Sequence, residues 1–514
     1  MGNTNSRKRS NSTYVTPNIY SPTLNRSRSK SVLQSNDQPP SSITSNLNNT
    51  NNLIGQNDLV VPNIDINNSP QLKQTNERVS LNVPENIVSD ITISNNEIDL
   101  SFKNLNNLSD SQMSIQIQKH CNELVKIDLS QNCYKSIPSW IYNNTFHSLV
   151  TLNFYQNEIE ILNSNEFQQL VKLDKLILSQ NKIEYDHESP KDIFSSLHSL
   201  RSLMLSSNQF KSIPSLVKLE KLERLALDRN AISNYPSDDQ LELLPINLKF
   251  LSISYNHLTM VPSYIINPHS QLETLEIFNN KISEIPKEIG QLRHLKHLNM
   301  SSNSIESLPE QLYQLVFLET LELQMNKLTK IPEDLGSLVN LQLLNLSNNQ
   351  IQEIPKSINY LCNLTILYLD NNIIEDLPLV PDNQLIRLSE IYLNSNKFQS
   401  MQSLCNLASI DKISMGFNKI QSLPENLNQC CKLSKLELSD NQISLIPSSI
   451  VQLKHLYEIS LANNNIDSLP SAMYKMTLQD LNLTKNPILR KIPKQLQRKG
   501  LQGIKEYLKD LNDK

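Results

Sequence analysis

One asparagine, recurring sixteen times at almost constant spacing, constrains this chain more than any other feature. It stands at Asn132, Asn157, Asn181, Asn208, Asn230, Asn256, Asn280, Asn303, Asn326, Asn349, Asn372, Asn396, Asn418, Asn441, Asn464 and Asn486, with successive gaps of 22 to 27 residues. Around it runs a frame of L-x-x-L-x-L-x-x-N-x-I/L-x-x-I/L-P, as in "LETLEIFNNKISEIPKEIGQLRHLKHLNMSSNSIESLPEQL". A repeat of this length cannot bury its apolar face alone, so stacked copies must share one continuous core.

The letters of the frame have separate physical roles. Alternation in L-x-L is that of a strand, which turns Leu321 and Leu323 inward and Glu322 to solvent, and stacked copies then form a parallel sheet. The Asn amide both donates and accepts, so it can satisfy backbone groups where the chain leaves the strand, and sixteen of them would make an internal ladder. Pro286, Pro309, Pro332 and Pro355 are expected at the first position of a short helical or 3-10 return segment. After Pro286, Ile289, Leu292 and Leu295 give that segment a buried stripe.

Four regions follow. Residues 1–85 are Asn, Ser, Thr and Pro with scattered apolar residues, a composition expected to be disordered. Residues 86–123 hold an N-terminal cap and a degenerate first repeat with Lys103 in place of Asn, and 124–490 hold about 16 repeats. Residues 491–514 are expected to form a closing cap helix with Ile504, Tyr507, Leu508 and Leu511 on one face. The fold class is therefore α/β: a right-handed solenoid with a parallel concave β-sheet, short helical or 3-10 convex segments and a disordered N-terminal tail.

With this number of copies, the frame resembles the leucine-rich-repeat family. Its dominant 23-residue form with S/E-I/L-P is similar to the intracellular Ras-group class of Scribble-like polarity scaffolds and Ras-pathway scaffolds. The C-terminal "NPILRKIPKQLQRKGLQGIKEYL" resembles the terminal cap of that class. The resemblance implies a concave sheet that binds proteins, with Ras-type GTPases and phosphatase catalytic subunits as recurring partners.

Outward strand positions are mostly Ser, Asn, Gln, Thr or charged, except in the middle of the array. There Phe250, Tyr255, Phe278, Met325, Ile366, Tyr368 and Tyr392 fall outward among Glu276, Glu322, Asp370 and Glu390. Aromatic anchors in a charged surround suit a protein interface, although aromatics can equally pack on one another across strands. Arg224 and Arg229 lie at the edge of this patch, where they extend it or pair with Asp228.

Chemistry is sparse. The chain has no phosphate-binding loop, H-E-x-x-H or G-x-S-x-G motif, and the repeats leave no room for a catalytic domain, so no enzyme, cofactor, metal or small-molecule substrate is expected. Its six Cys are expected to be reduced thiols packed as small hydrophobes, and a net charge of -4 gives no general affinity for nucleic acid.

The opening MGNTNSRKRS carries Gly2 and Ser6 in the spacing of an N-myristoylation signal. One acyl chain binds membranes only marginally. Arg7, Lys8 and Arg9, then Arg26, Arg28 and Lys30, supply a second signal for an anionic surface. Ser10, Ser27, Ser29 and Ser31 lie within these basic runs, where phosphate would cancel positive charge. The expectation is a cytoplasmic scaffold, lipid-anchored at the inner face of the plasma membrane and linked to Ras-type GTPase signalling, polarity and the cytoskeleton. The alternative is a regulatory subunit of a protein phosphatase in cytosol or nucleus.

Overall fold

The computed structural model describes residues 93–513, except 104, 106–116, 118–119, 187, 191, 234–243 and 382–383. The 1–85 tail, with Gly2, Arg7, Lys8, Arg9, Ser10, Arg26, Ser27, Arg28, Ser29, Lys30 and Ser31, lies outside them.

From residue 93 onward, one strand per repeat joins an 18-stranded sheet. Seventeen of these strands run parallel and in register, so that Leu298, Leu321, Leu344 and Leu367 lie directly beside one another. Each strand is only about three residues long, because the apolar residue at its centre must point inward while its neighbours point out. Thr320–Glu322 shows the pattern, with Leu321 buried between two half-buried residues. The inward column, with Leu323 and its equivalents, forms a core that continues from Ile98 to Leu508.

Opposite the sheet, successive repeats place 3-10 segments at Lys287–Gln291, Glu310–Gln314, Glu333–Ser337 and Lys356–Tyr360. Ile289, Leu292 and Leu295 are buried beneath the first. The prolines stand one residue earlier than expected, capping these segments with extended backbone rather than opening them. Their carbonyls are needed there, since Pro286 O accepts the Ile289 N–H at 3.0 Å. Strands stack at the spacing of backbone hydrogen bonds, whereas the 3-10 segments stack through side chains, so the sheet takes the concave side.

All sixteen asparagines act alike. In the copy at Asn326, Nδ2 donates to Leu323 O of its own repeat and Met300 O of the preceding one, while Oδ1 accepts the Ile305 N–H. The same bonds recur from Asn132 to Asn486. Among the described residues no repeat precedes that of Lys103, so no amide is needed there to bridge one. Ahead of it, Ile93–Ser94 pairs antiparallel with Glu97–Asp99 through a turn with positive φ at Asn95 and Asn96, and so covers the sheet edge.

At the other end the chain forms two helices, Lys494–Gln497 and Leu501–Asn512, rather than one. Ile504 and Leu508 are buried and Tyr507 packs against the core, but Leu511 is exposed, because the cap covers only the last repeat. Gly500 turns between the helices at φ 59°, a left-handed conformation. Gly503 permits their contact: a Cβ there would meet Leu496 O at 1.8 Å.

Among the described residues, no helix is long and apolar enough to cross a membrane. Four of the cysteines divide into two pairs by burial. Cys405 and Cys430 are buried, with burial raising their thiols to about 11 and about 12, whereas Cys362 and Cys431 are exposed rather than packed as expected.

Candidate protein-binding face

The outward side chains form columns along the sheet, because parallel strands in register repeat the same position every copy. One column reads Glu276, Asn299, Glu322, Asn345, Tyr368 and Tyr392 on consecutive strands. Phe250, Glu276, Phe278, Glu322, Tyr368, Asp370, Glu390 and Tyr392 are all half-buried. Only Tyr255 and Met325 of the expected set are exposed.

Many of these side chains serve one another. Tyr368 and Tyr392 stack across adjacent strands with centroids 4.6 Å apart, and Tyr255 meets Phe278 edge-on at 5.3 Å. The Tyr392 hydroxyl donates to Glu390 at 2.5 Å and accepts from Lys412 at 3.0 Å, and both burial and that carboxylate hold it protonated. Cross-strand pairing of this kind is worth roughly 0.5–1.5 kcal/mol beyond area burial. Part of the aromatic surface therefore stabilises the sheet itself.

Neither arginine at the edge pairs with Asp228. Arg224 lies over the Phe250 ring at 4.4 Å and Arg229 over the Tyr255 ring at 4.0 Å, since Phe250 is the register partner of Arg224 and Tyr255 holds the place equivalent to Arg229 one repeat later. Asp228 instead accepts from the Ser252 hydroxyl and, at 2.9 Å, from the Ser254 N–H. Ser252 Oγ also lies 2.9 Å from Glu276 Oε2. A hydroxyl has one proton to donate, so one of the two carboxyls must be protonated for both contacts to be hydrogen bonds. Burial raises the carboxyls of Asp228 and Glu276 above their ordinary values, which is consistent with that sharing. Asp370 is raised by burial too, against the Asn394 N–H at 2.8 Å and side chain at 2.7 Å.

His297 also takes an outward slot of this sheet. It is half-buried, its ring Nδ1 lies 2.9 Å from Thr320 Oγ1, and burial lowers its pKa.

One column was legible only in part. The residue before each ladder Asn holds a left-handed backbone, φ 51–60° from Gln131 to Lys485, because the chain must turn sharply for the amide to reach back. Most copies put Asn, Ser, Gln or Asp there. Tyr255, Met325 and Phe417 do not, and Met325 and Phe417 are 57% and 62% exposed. Phe417 was missed because it lies beyond the aromatic middle of the array. Its place directly before Asn418 was the available signal.

Leucine-rich-repeat models match residues 122–183, 199–324, 316–357, 339–383 and 431–488. A solved leucine-rich-repeat protein of Leptospira interrogans is 31% identical, with a TM-score of 0.63 over 73% of this chain and 91% of its own. A neighbour solved as a TDR receptor is 28% identical with a TM-score of 0.54, over 73% of this chain and 70% of its own. Among curated proteins, adenylate cyclase of Schizosaccharomyces pombe is 33% identical over 179 residues, 34% of this chain but 10% of the cyclase. Osteomodulin of Mus musculus is 33% identical over 137 residues, 26% of this chain and 31% of osteomodulin. The chain thus spans a minor part of these curated relatives, while the repeat frame, the ladder and the match over nine-tenths of the Leptospira protein agree: the chain belongs to the leucine-rich-repeat family.

Proposed function

We propose that this chain is a non-enzymatic scaffold that holds a signalling protein on its concave sheet, at the inner face of the plasma membrane. Proteins of this family generally act by binding other proteins. The observation that carries the reading here is the pair Met325 and Phe417. A left-handed backbone costs a bulky residue about 1–2 kcal/mol, and neither side chain recovers that cost by burial. Large apolar groups kept exposed at an unfavourable backbone position are what a partner-binding surface requires.

The membrane half rests on Gly2 and Ser6 with the basic residues Arg7, Lys8, Arg9, Arg26, Arg28 and Lys30. An acyl chain plus three near-surface cations at about 1 kcal/mol each gives a two-part anchor. Phosphate on Ser10, Ser27, Ser29 and Ser31 would weaken it, making attachment reversible. A Ras-type GTPase is the proposed partner because the 23-residue frame resembles that of Ras-pathway scaffolds.

The test combines the intact mass of the native N-terminal peptide, the membrane fraction of wild type and Gly2→Ala, and affinity recovery with GTP- and GDP-loaded lysates. A myristoyl mass gain, release of Gly2→Ala and nucleotide-dependent recovery of a GTPase are expected. An unmodified or acetylated terminus with no change on mutation removes the anchor. Recovery of a phosphatase catalytic subunit in place of a GTPase supports the regulatory-subunit reading instead.

A further inference from the structure

Charge is unevenly distributed along the concave face. In the six strands from Thr274–Glu276 to Glu390–Tyr392, the outward slots carry Glu276, Glu322, Asp370 and Glu390 and no Lys or Arg. None of these four takes part in an ion pair among the described residues. Cations are not scarce nearby: Lys249 pairs with Glu223 at 3.5 Å and Lys296 with Glu273 at 2.8 Å, but both sit on the rim, one residue before the strands. The cation that reaches these strands is Lys412, which lies over the Tyr392 ring from the adjoining strand at 4.6 Å, and the slots from Glu276 to Tyr368 carry no positive charge.

Spacing within the column narrows the fit. Glu276, Asn299, Glu322, Asn345 and Tyr368 are register partners on consecutive strands. A cation over Asn299 would lie between the Glu322 carboxylate and the Glu276 carboxyl, and a second over Asn345 would lie between Glu322 and the Tyr368 ring. These seats are two strands, or about 9.6 Å, apart. A polyproline-II segment repeats the same face every three residues, or about 9.3 Å. A β-strand offers same-face spacings of about 6.7 and 13 Å, which match neither seat.

The other end of the face has the opposite need. Arg224 and Arg229 are stacked on rings and join no ion pair among the described residues. Arg224 Nε and the hydroxyl of its register partner Ser202, which is 8% exposed, are both buried without a hydrogen-bond partner. A stacked guanidinium that joins no ion pair suits a carboxylate from a partner, and the strand of Arg224 lies three strands, about 14 Å, from that of Asn299.

We propose that the partner contributes an extended, polyproline-II-like segment with Lys or Arg at positions i and i+3, seated over Asn299 and Asn345, and a carboxylate four or five residues before the first cation, meeting Arg224. This rests on the reading of the concave face as the partner-binding surface.

The probe is a fluorescein-labelled peptide of sequence Glu-Pro-Pro-Pro-Lys-Pro-Pro-Lys, titrated into the full chain and followed by anisotropy. Controls move the second Lys to i+2, or replace Glu by Gln. Expected are at least fivefold tighter binding of the i+3 peptide than the i+2 peptide, a fivefold or greater loss with Glu322→Gln, and an effect of Arg224→Gln confined to the Glu-bearing peptide. Unchanged thermal melting of both variants shows that they fold. Equal binding of the two spacings, indifference to Glu322→Gln, or no binding overturns the proposal. A photoreactive group at Met325 separates the two levels. Capture of a partner in cells that survives Glu322→Gln leaves the face as an interface and rejects this chemistry, whereas no capture rejects the reading beneath it.

Discussion

The side-chain Oδ1 of Asn326 accepts the backbone N–H of Ile305, in the preceding repeat, at 3.0 Å. The same amide donates to Met300 O at 3.1 Å and to Leu323 O at 3.0 Å, so one side chain closes three backbone groups of two repeats. Asn326→Ala would leave all three without their partner. At about 1 kcal/mol or more for each buried orphan, the expected loss is about 3 kcal/mol, read as a lower urea midpoint. Asn326→Asp should lose at least as much at neutral pH, because a carboxylate cannot donate to Met300 O or Leu323 O.

Met325 and Phe417 set stability against binding. Asn tolerates the left-handed backbone that these residues occupy at φ 58° and 55°. Met325→Asn and Phe417→Asn should each raise stability by about 1 kcal/mol, and both should weaken partner recovery. A gain in melting temperature with undiminished recovery would remove these residues from the interface.

The Asp228, Ser252 and Glu276 contact predicts a dependence on pH. The folded carboxyls are raised above the ordinary 3.8 and 4.5, so the folded state holds a proton that the unfolded state has released. Their contribution to stability is fully present below the ordinary values and is lost as pH rises through the raised ones. Glu276→Gln should flatten the fall in urea midpoint between acid and neutral pH, and should be more stable than wild type at neutral pH. A slope equal to that of wild type would contradict the shared proton.

Gly503 tests the cap. A methyl group at this position cannot fit against Leu496 O, and Gly503→Ala is expected to cost about 3 kcal/mol. The loss should be local. Hydrogen exchange should accelerate in Lys494–Asn512 and in Ser471–Lys475, against which the final helix packs, while strands near Asn326 keep their protection.

The sequence carries the repeat because a solenoid uses the same physics in every copy. Leu321 and Leu323 alternate as a strand must, Asn326 recurs where two repeats need bridging, and Ile289, Leu292 and Leu295 mark the segment that returns. What it carries less well are features set by neighbours three-dimensionally adjacent but unlike in sequence. Arg224 and Arg229 find rings rather than Asp228, because register places Phe250 and Tyr255 beside them. Ser252 joins Asp228 to Glu276 from the strand between them. Leu511 fits a helical stripe yet stays exposed, because the stripe is longer than the repeat it covers. The site residues divide in the same way: outward position was legible from alternation, whereas the mutual pairing of Tyr368 with Tyr392 depended on ring geometry.

The claim that the concave face holds the partner is tested most directly by site-specific photo-crosslinking in cells. Benzoylphenylalanine would replace Met325 on the concave side in one variant and Tyr360, exposed at the end of a convex 3-10 segment, in another. A discrete protein adduct is expected from position 325 and none from position 360. Adducts from position 360 alone would place the partner on the convex side and contradict that claim.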